Sequence, residues 1–87
     1  MSRVTVYSTA TCPICVKAKT MLDKWQIAFE EILIDQDHDA MREFARITHN
    51  AQTVPQIVID GKVIGGFSEL TELHMDGELE DLMQDNR

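Results

Sequence analysis

Apolar and polar residues alternate over residues 3–8, with Val4 and Val6 on one side and Thr5 and Tyr7 on the other, which predicts a strand. Ser8 to Thr11 breaks the alternation as a short loop. From Pro13 the period lengthens, and Ile14, Ala18, Met21, Leu22 and Trp25 recur at helical spacing. Proline suits a first helical turn because the N–H it lacks would find no partner there. Phe29 to Ile34, rich in Ile and Leu, reads as a second strand. The acidic stretch Asp35 to Asp39 can cap a helix built on Met41, Phe44 and Ala45. Further on, Asp60-Gly61 separates Ile57-Val58-Ile59 from Lys62-Val63-Ile64, and Asp-Gly between two apolar runs is a strong hairpin signal. Gly65-Gly66-Phe67 ends that strand, and Ser68 is placed to cap a helix carrying Leu70 and Leu73. Gly77 interrupts this helix, and Leu79, Leu82 and Met83 continue in a last short one.

The predicted order, β-α-β-α-β-β-α(-α), is that of an α/β fold. Two strands joined through a helix lie parallel, and the terminal hairpin completes a four-stranded mixed sheet flanked by helices. The 87 residues, 44% of them apolar, suffice for one domain over 1–87 with a thin but workable core. Eight Lys and Arg against fifteen Asp and Glu give a net charge of −7. That balance argues against nucleic acid, whose binding is driven by neutralising phosphates. No stretch approaches the ~20 apolar residues of a membrane span, and the first seven residues lack the apolar block of a signal peptide. The expectation is a cytoplasmic monomer that engages no membrane.

Cys12 and Cys15 are the two cysteines, separated by Pro13 and Ile14. A disulfide closing so short a loop removes little unfolded-state entropy, so stapling is a poor reason for the pair. Two small core hydrophobes remain one reading, and redox chemistry is the other. The pair sits where the first strand gives way to the first helix. Unpaired N–H groups and the positive end of the helix dipole at that point stabilise an anion. A free thiol ionises near about 8.5, and cysteines at helix N-termini ionise lower. Cys15, three residues on, lies on the same helix face. One sulfur can then attack a disulfide and the other resolve the mixed disulfide that results. As zinc ligands the two supply half of a four-ligand site, and no Cys or His pair elsewhere in the sequence supplies the rest.

Thr11-Cys12-Pro13-Ile14-Cys15, Thr53-Val54-Pro55-Gln56-Ile57, and Gly65-Gly66 before Ser68-Glu69-Leu70 follow one another along nearly the whole chain. In order and spacing the sequence resembles the glutaredoxins of dithiol type. The resemblance implies a thioredoxin-like fold, Cys12 as nucleophile after Thr11 and before Pro13, Cys15 as resolving thiol, and a redox-active disulfide between them. It also implies a cis peptide at Val54-Pro55 and glutathione as co-substrate, with no bound cofactor and no metal. The implied groove comprises Gln52, Thr53, Val54, Pro55, Gly66, Phe67, Ser68 and Glu69. There the Val54 main chain would pair with the cysteinyl part of glutathione, and the amides of Phe67 and Ser68 would receive the γ-glutamyl carboxylate. Glu69 would meet the γ-glutamyl ammonium, and Gln52 stands where some members carry a basic residue near the glycine carboxylate. Implied partners are disulfide-containing or glutathionylated proteins, ribonucleotide reductase among them.

Three positions depart from the family pattern. Thr9 stands where a Lys is common, Ile14 where Tyr is typical, and Phe67 where Cys or Ser is frequent. Lys17 and Lys19 are the nearest cations in sequence, and Ile14 leaves an apolar rim without a hydroxyl. Thr9 and Phe67 keep a second function in view, a redoxin fed by thioredoxin reductase. A third is an iron–sulfur carrier, which Pro13 disfavours by stiffening the cysteine loop. Asp35, Asp37 and Asp39 imitate a calcium loop, but its sixth position is Ala40 and its twelfth Arg46, so they read as turn and cap residues. His38, His49 and His74 have no metal spacing, and Trp25 and the five Met read as packing. Glu72, Asp76, Glu78, Glu80, Asp81 and Asp85 form a solvated acidic tail face.

Overall fold

Val4 and Val6 are fully buried on one face of strand β1 (Val4–Ser8), while Tyr7 is buried on the other. A strand covered on both faces sits inside its sheet, and β1 does. In the computed structural model, which describes residues 3–84, it pairs in parallel with β2 (Phe29–Leu33), Val4 opposite Phe29. On its other side it pairs antiparallel with β3 (Gln56–Ile59), Val4 opposite Ile59. β3 continues through the Asp60-Gly61 turn into antiparallel β4 (Lys62–Gly65), giving the sheet order β2-β1-β3-β4. Asp60 and Gly61 take φ of 53° and 81°, the two positive values that a tight hairpin turn requires.

Helices cover both faces, as the pattern predicts. Helix α1 (Pro13–Lys24) presents Ala18 and Leu22 to Val4, Val6, Ile57 and Ile59. Leu70 of α3 (Phe67–Met75) and Leu79 of α4 (Glu78–Gln84) close the same cluster. Across the sheet, α2 (His38–Thr48) lays Phe44 against Tyr7, Ile34 and Val58. The Tyr7 and Phe44 rings meet edge to face, centroids 5.5 Å apart. Gly77, at φ 82°, separates α3 from α4. Residues 82 and 83 lie within α4, but the side chains of Leu82 and Met83 fall outside those described.

Capping follows the sequence at α2 and departs from it at α3. Asp37 caps α2, its carboxylate accepting from the Asp39 N–H at 2.9 Å. The N-cap of α3 is Gly66 instead of Ser68, which lies inside the first turn. Glycine has no side chain to cap with. The Glu69 carboxylate reaches back instead and accepts from the Gly66 N–H at 2.9 Å. Gly65, at φ 125°, makes the sharp entry possible, and a Cβ there would lie 2.9 Å from Glu69 Cγ.

Candidate active site

Cys12 is the N-cap of α1, in extended conformation, and Pro13 is the first helical residue. The Cys15 N–H donates to Cys12 Sγ at 3.1 Å. A sulfur held there faces the positive end of a helix whose first turn carries no acidic residue. The Cys12 thiol also reaches the Val54 carbonyl, 3.8 Å away. Both cysteines are free, but they differ in access: Cys12 is half-buried and Cys15 only 1% exposed. Ile14 and Val16, 50% and 56% exposed, leave an apolar rim at this end of α1. The Ile14 part of that rim was expected; Val16 sits at a helical position whose sequence gives no sign that it faces outward.

Burial pushes the Cys15 thiol up to about 12, and its hydrogen bond with Cys12 acts in the same direction. A main-chain hydrogen bond from Thr9 and the charge of Lys19 pull it back down. Lys19 lies one turn beyond Cys15 on α1, and its ammonium donates to Glu31 on β2 at 2.5 Å. The same carboxylate oxygen accepts from Ser8 Oγ at 2.7 Å, which satisfies a fully buried hydroxyl. These two hydrogen bonds, Lys19 first, hold the Glu31 carboxyl below its ordinary range. Of the two cations nearest the cysteines in sequence, Lys19 is therefore committed beneath α1. Glu31 lies 12 residues from Lys19 and 23 from Ser8 along the chain, too far for local pattern to reveal.

The opposite wall is built on a cis peptide between Val54 and Pro55, as the resemblance implies. Gln56 steadies the approach to it, its side-chain amide donating to the Thr53 carbonyl at 3.1 Å. Gly66 brings α3 close: a Cβ there would come within 3.3 Å of the Pro55 carbonyl. The Phe67 side chain packs on the main core, so at the helix start this residue offers its main chain. The N–H groups of Phe67 and Ser68 lie in a first turn, where the helix supplies no acceptor for them. Gln52 is exposed, its amide donating to the Asn50 carbonyl at 3.4 Å. Cys12, Pro13, Cys15, Val54 and Pro55 thus converge, Gln52 and Thr53 adjoin Val54, and Gly66 joins 67–69 to the group through Pro55.

Other singled-out residues lie elsewhere with structural work to do. Asp35 accepts from the Ala10 N–H at 3.2 Å, and Asp39 pairs with Arg42. His49 ends α2 in left-handed conformation, and His74 stacks on Trp25 with ring centroids 3.8 Å apart. Among the described residues, no three His, Cys, Asp or Glu side chains converge on a metal position. No described helix is long and apolar enough to cross a membrane.

An open thiol with a buried one beneath it can take a disulfide from a substrate onto the protein. On this sheet order, the chain is a thiol–disulfide oxidoreductase of the thioredoxin-like fold. The glutaredoxin family model matches residues 4–64. Glutaredoxin 3 of Escherichia coli is 38% identical over 84 residues, covering 97% of this chain and all of that one. Glutaredoxin 1 of Rickettsia typhi is 38% identical over 82 residues, 93% of this chain and 79% of that one. The crystal structure of a buckwheat glutaredoxin–glutathione complex superposes with a TM-score of 0.84 at 29% identity, covering 97% of this chain and 78% of that one. The chain belongs to the glutaredoxin family.

Proposed function

We propose that the protein reduces protein disulfides and glutathione mixed disulfides through Cys12 and Cys15, with electrons from glutathione. Cys12, as thiolate, attacks a substrate disulfide; the S–S bond breaks, and the departing thiolate takes a proton from solvent. From a glutathionylated substrate Cys12 takes the glutathionyl group, and a second glutathione attacks that sulfur, leaving oxidised glutathione and free Cys12. From a protein disulfide Cys12 becomes linked to the substrate. Cys15 then gives up its proton, attacks the Cys12 sulfur and releases the second substrate thiol. Two glutathiones reduce the Cys12–Cys15 disulfide, so one substrate disulfide and two glutathiones yield two thiols and one oxidised glutathione.

The observation that carries this reading is the placement of Cys12 Sγ between the Cys15 N–H and the Val54 carbonyl. A substrate chain lying strand-fashion along Val54 brings its sulfur to the open thiol, with the resolving thiol directly beneath. The buckwheat relative's complex with glutathione supports that co-substrate. The main chain of Val54 beside Thr53 and Pro55 would hold its cysteinyl part. Gly66 allows the close approach, Phe67 and Ser68 offer amides to the γ-glutamyl carboxylate, Glu69 its carboxylate to the ammonium, and Gln52 an uncharged amide near the glycine end.

The test is a pair of variants assayed with glutathione and its reductase. Cys12→Ser abolishes reduction of both substrate types. Cys15→Ser spares glutathionyl mixed disulfides and impairs protein disulfides; equal loss of both contradicts the roles. A second reading, electrons from thioredoxin reductase, is favoured by Thr9 and Gln52, which leave uncharged a wall where an anionic tripeptide gains from a cation. Replacing glutathione by thioredoxin reductase in the same assay decides between the two.

A further inference from the structure

Beside the reactive thiol a cleft of about 330 Å³ opens between α2 and the segment 50–54. Thr9 and Val54, which contact Cys15 and Cys12 respectively, form its near edge. Met41, with the buried Phe44 and Ile34 behind it, forms its apolar side, Asn50, Gln52 and Thr53 form a polar one, and no charged residue lines it. Met41 and Ile34 also border a second hollow of about 220 Å³, so the two adjoin. Asp35 and Asp37 line that second hollow together with His38, and all three are exposed. Running outward from Cys12, the surface therefore changes from thiol to apolar wall to carboxylates.

We propose that this cleft receives the polypeptide of a protein-disulfide substrate, with an apolar side chain beside its half-cystine lying over Met41 and Phe44 and a lysine or arginine next to it facing Asp35 and Asp37. The inference rests on Cys12 being the attacking thiol, and it specifies which disulfides that thiol selects. Two features favour this occupant. Met41, 48% exposed, and the cleft beside it leave apolar surface that a leucine-sized side chain would remove from water. The net charge of −7 and the two local carboxylates favour a basic chain over an acidic one. Glutathione's glycine carboxylate would find no cation in this cleft. Gln52, Thr53 and Val54 line this cleft and also belong to the proposed glutathione groove, so glutathione and the peptide occupy it in turn.

Three symmetric pentapeptides test the assignment without presuming a chain direction: Lys-Leu-Cys-Leu-Lys, Glu-Leu-Cys-Leu-Glu and Glu-Gly-Cys-Gly-Glu, each as the mixed disulfide with thionitrobenzoate. Attack of prereduced protein on the peptide sulfur breaks the S–S bond and releases the coloured thiolate, whose appearance gives a second-order rate. The expected order is first, second, third, with roughly 3–20-fold between the leucine and glycine peptides of like charge. The gap between the lysine and glutamate peptides should shrink as salt is raised. Met41→Lys should bring the first and third peptides to within about twofold of each other, since it removes apolar wall and offsets the carboxylates. Equal rates for all three with the unmodified protein overturn the cleft assignment and leave the dithiol reading standing. Release that persists unchanged in Cys12→Ser overturns the dithiol reading and the cleft assignment with it.

Discussion

Lys19 and Glu31 meet at 2.5 Å across the seam between α1 and β2, and Ser8 joins them from β1. Their side chains are only 25% and 30% exposed, so the pair is partly shielded from solvent. It ties the helix that carries both cysteines to the two strands beneath it.

Breaking this tie should show as acid sensitivity of a particular form. The Glu31 carboxyl is held low by Lys19 and Ser8. Its stabilising contribution is therefore complete above the ordinary glutamate range and is lost as pH falls through the depressed value. Glu31→Gln should lower stability at pH 7 by about 1 kcal/mol and by less at an acid pH below the depressed value, where the carboxyl of the parent takes up its proton. Urea unfolding at both pH values checks this, and an equal loss at both contradicts it.

Cys15 governs the alkaline side. Its folded value, pushed up to about 12, exceeds the ordinary 9.0, so the folded state keeps a proton that the unfolded chain releases. Stability is intact below about pH 9 and falls as pH rises toward 12, by up to about 1.4 kcal/mol per pH unit from this group. Tyr7, raised by burial and by the charge of Glu43, adds to the fall at the upper end. In reduced protein, Cys15→Ala should flatten the stability profile between pH 9 and 10.5 in denaturant titrations. An unchanged slope assigns the effect to another group.

Two roles meet at Glu69, and two substitutions separate them. Its carboxylate accepts from the Gly66 N–H, and in the proposed groove it also faces the ligand ammonium. Glu69→Gln keeps an acceptor oxygen and removes the charge. It should leave stability nearly unchanged and raise KM for a glutathionylated substrate roughly 2–10-fold. Glu69→Ala removes both and should in addition cost about 0.5–2 kcal/mol through loss of the cap. If Glu69→Gln leaves KM unaltered, the capping contact is the residue's whole function.

At the far end of α1, the Trp25–His74 stack links that helix to α3 beside a groove of about 550 Å³. Trp25 is the single tryptophan of the chain, so the emission comes from this site alone. His74→Ala should change the emission and cost about 0.5–1.5 kcal/mol. Turnover should be unaffected, because the 12-residue helix separates the stack from Cys12.

Local periodicity and turn chemistry carried most of the fold. The alternation of Val4 and Val6, the helical recurrence from Ile14 to Trp25, and Asp60-Gly61 each act over a few residues, and each element formed where it was expected. The Cys-Pro-Ile-Cys junction was legible for the same reason. The α3 cap was not: Ser68 has the chemistry of a cap, but the chain turns at Gly65, the residue free to take φ 125°, and so the helix begins before Ser68. The Ser8–Glu31–Lys19 network was also hidden. Glu30 and Glu31 are consecutive on β2 and so point to opposite faces, and only the parallel pairing with β1 decides which one finds Ser8. The cleft beside Cys12 likewise depends on how α2 packs, which no spacing within α2 encodes.

The sheet order has a bearing on how this protein behaves when crowded. Its outermost strands, β2 and β4, each have a side on which the sheet ends, and such edges invite growth by addition of another chain. Both are short, five and four residues, and an exposed charge punctuates each: Glu30 on one, Lys62 on the other. Charge and brevity at a sheet edge discourage stacking into aggregates. Under the proposed function the protein meets disulfide-bearing chains, and an open strand edge on either partner invites pairing. Guarded edges discourage that pairing at the rims and leave the thiol beside Val54 as the place where such a chain engages.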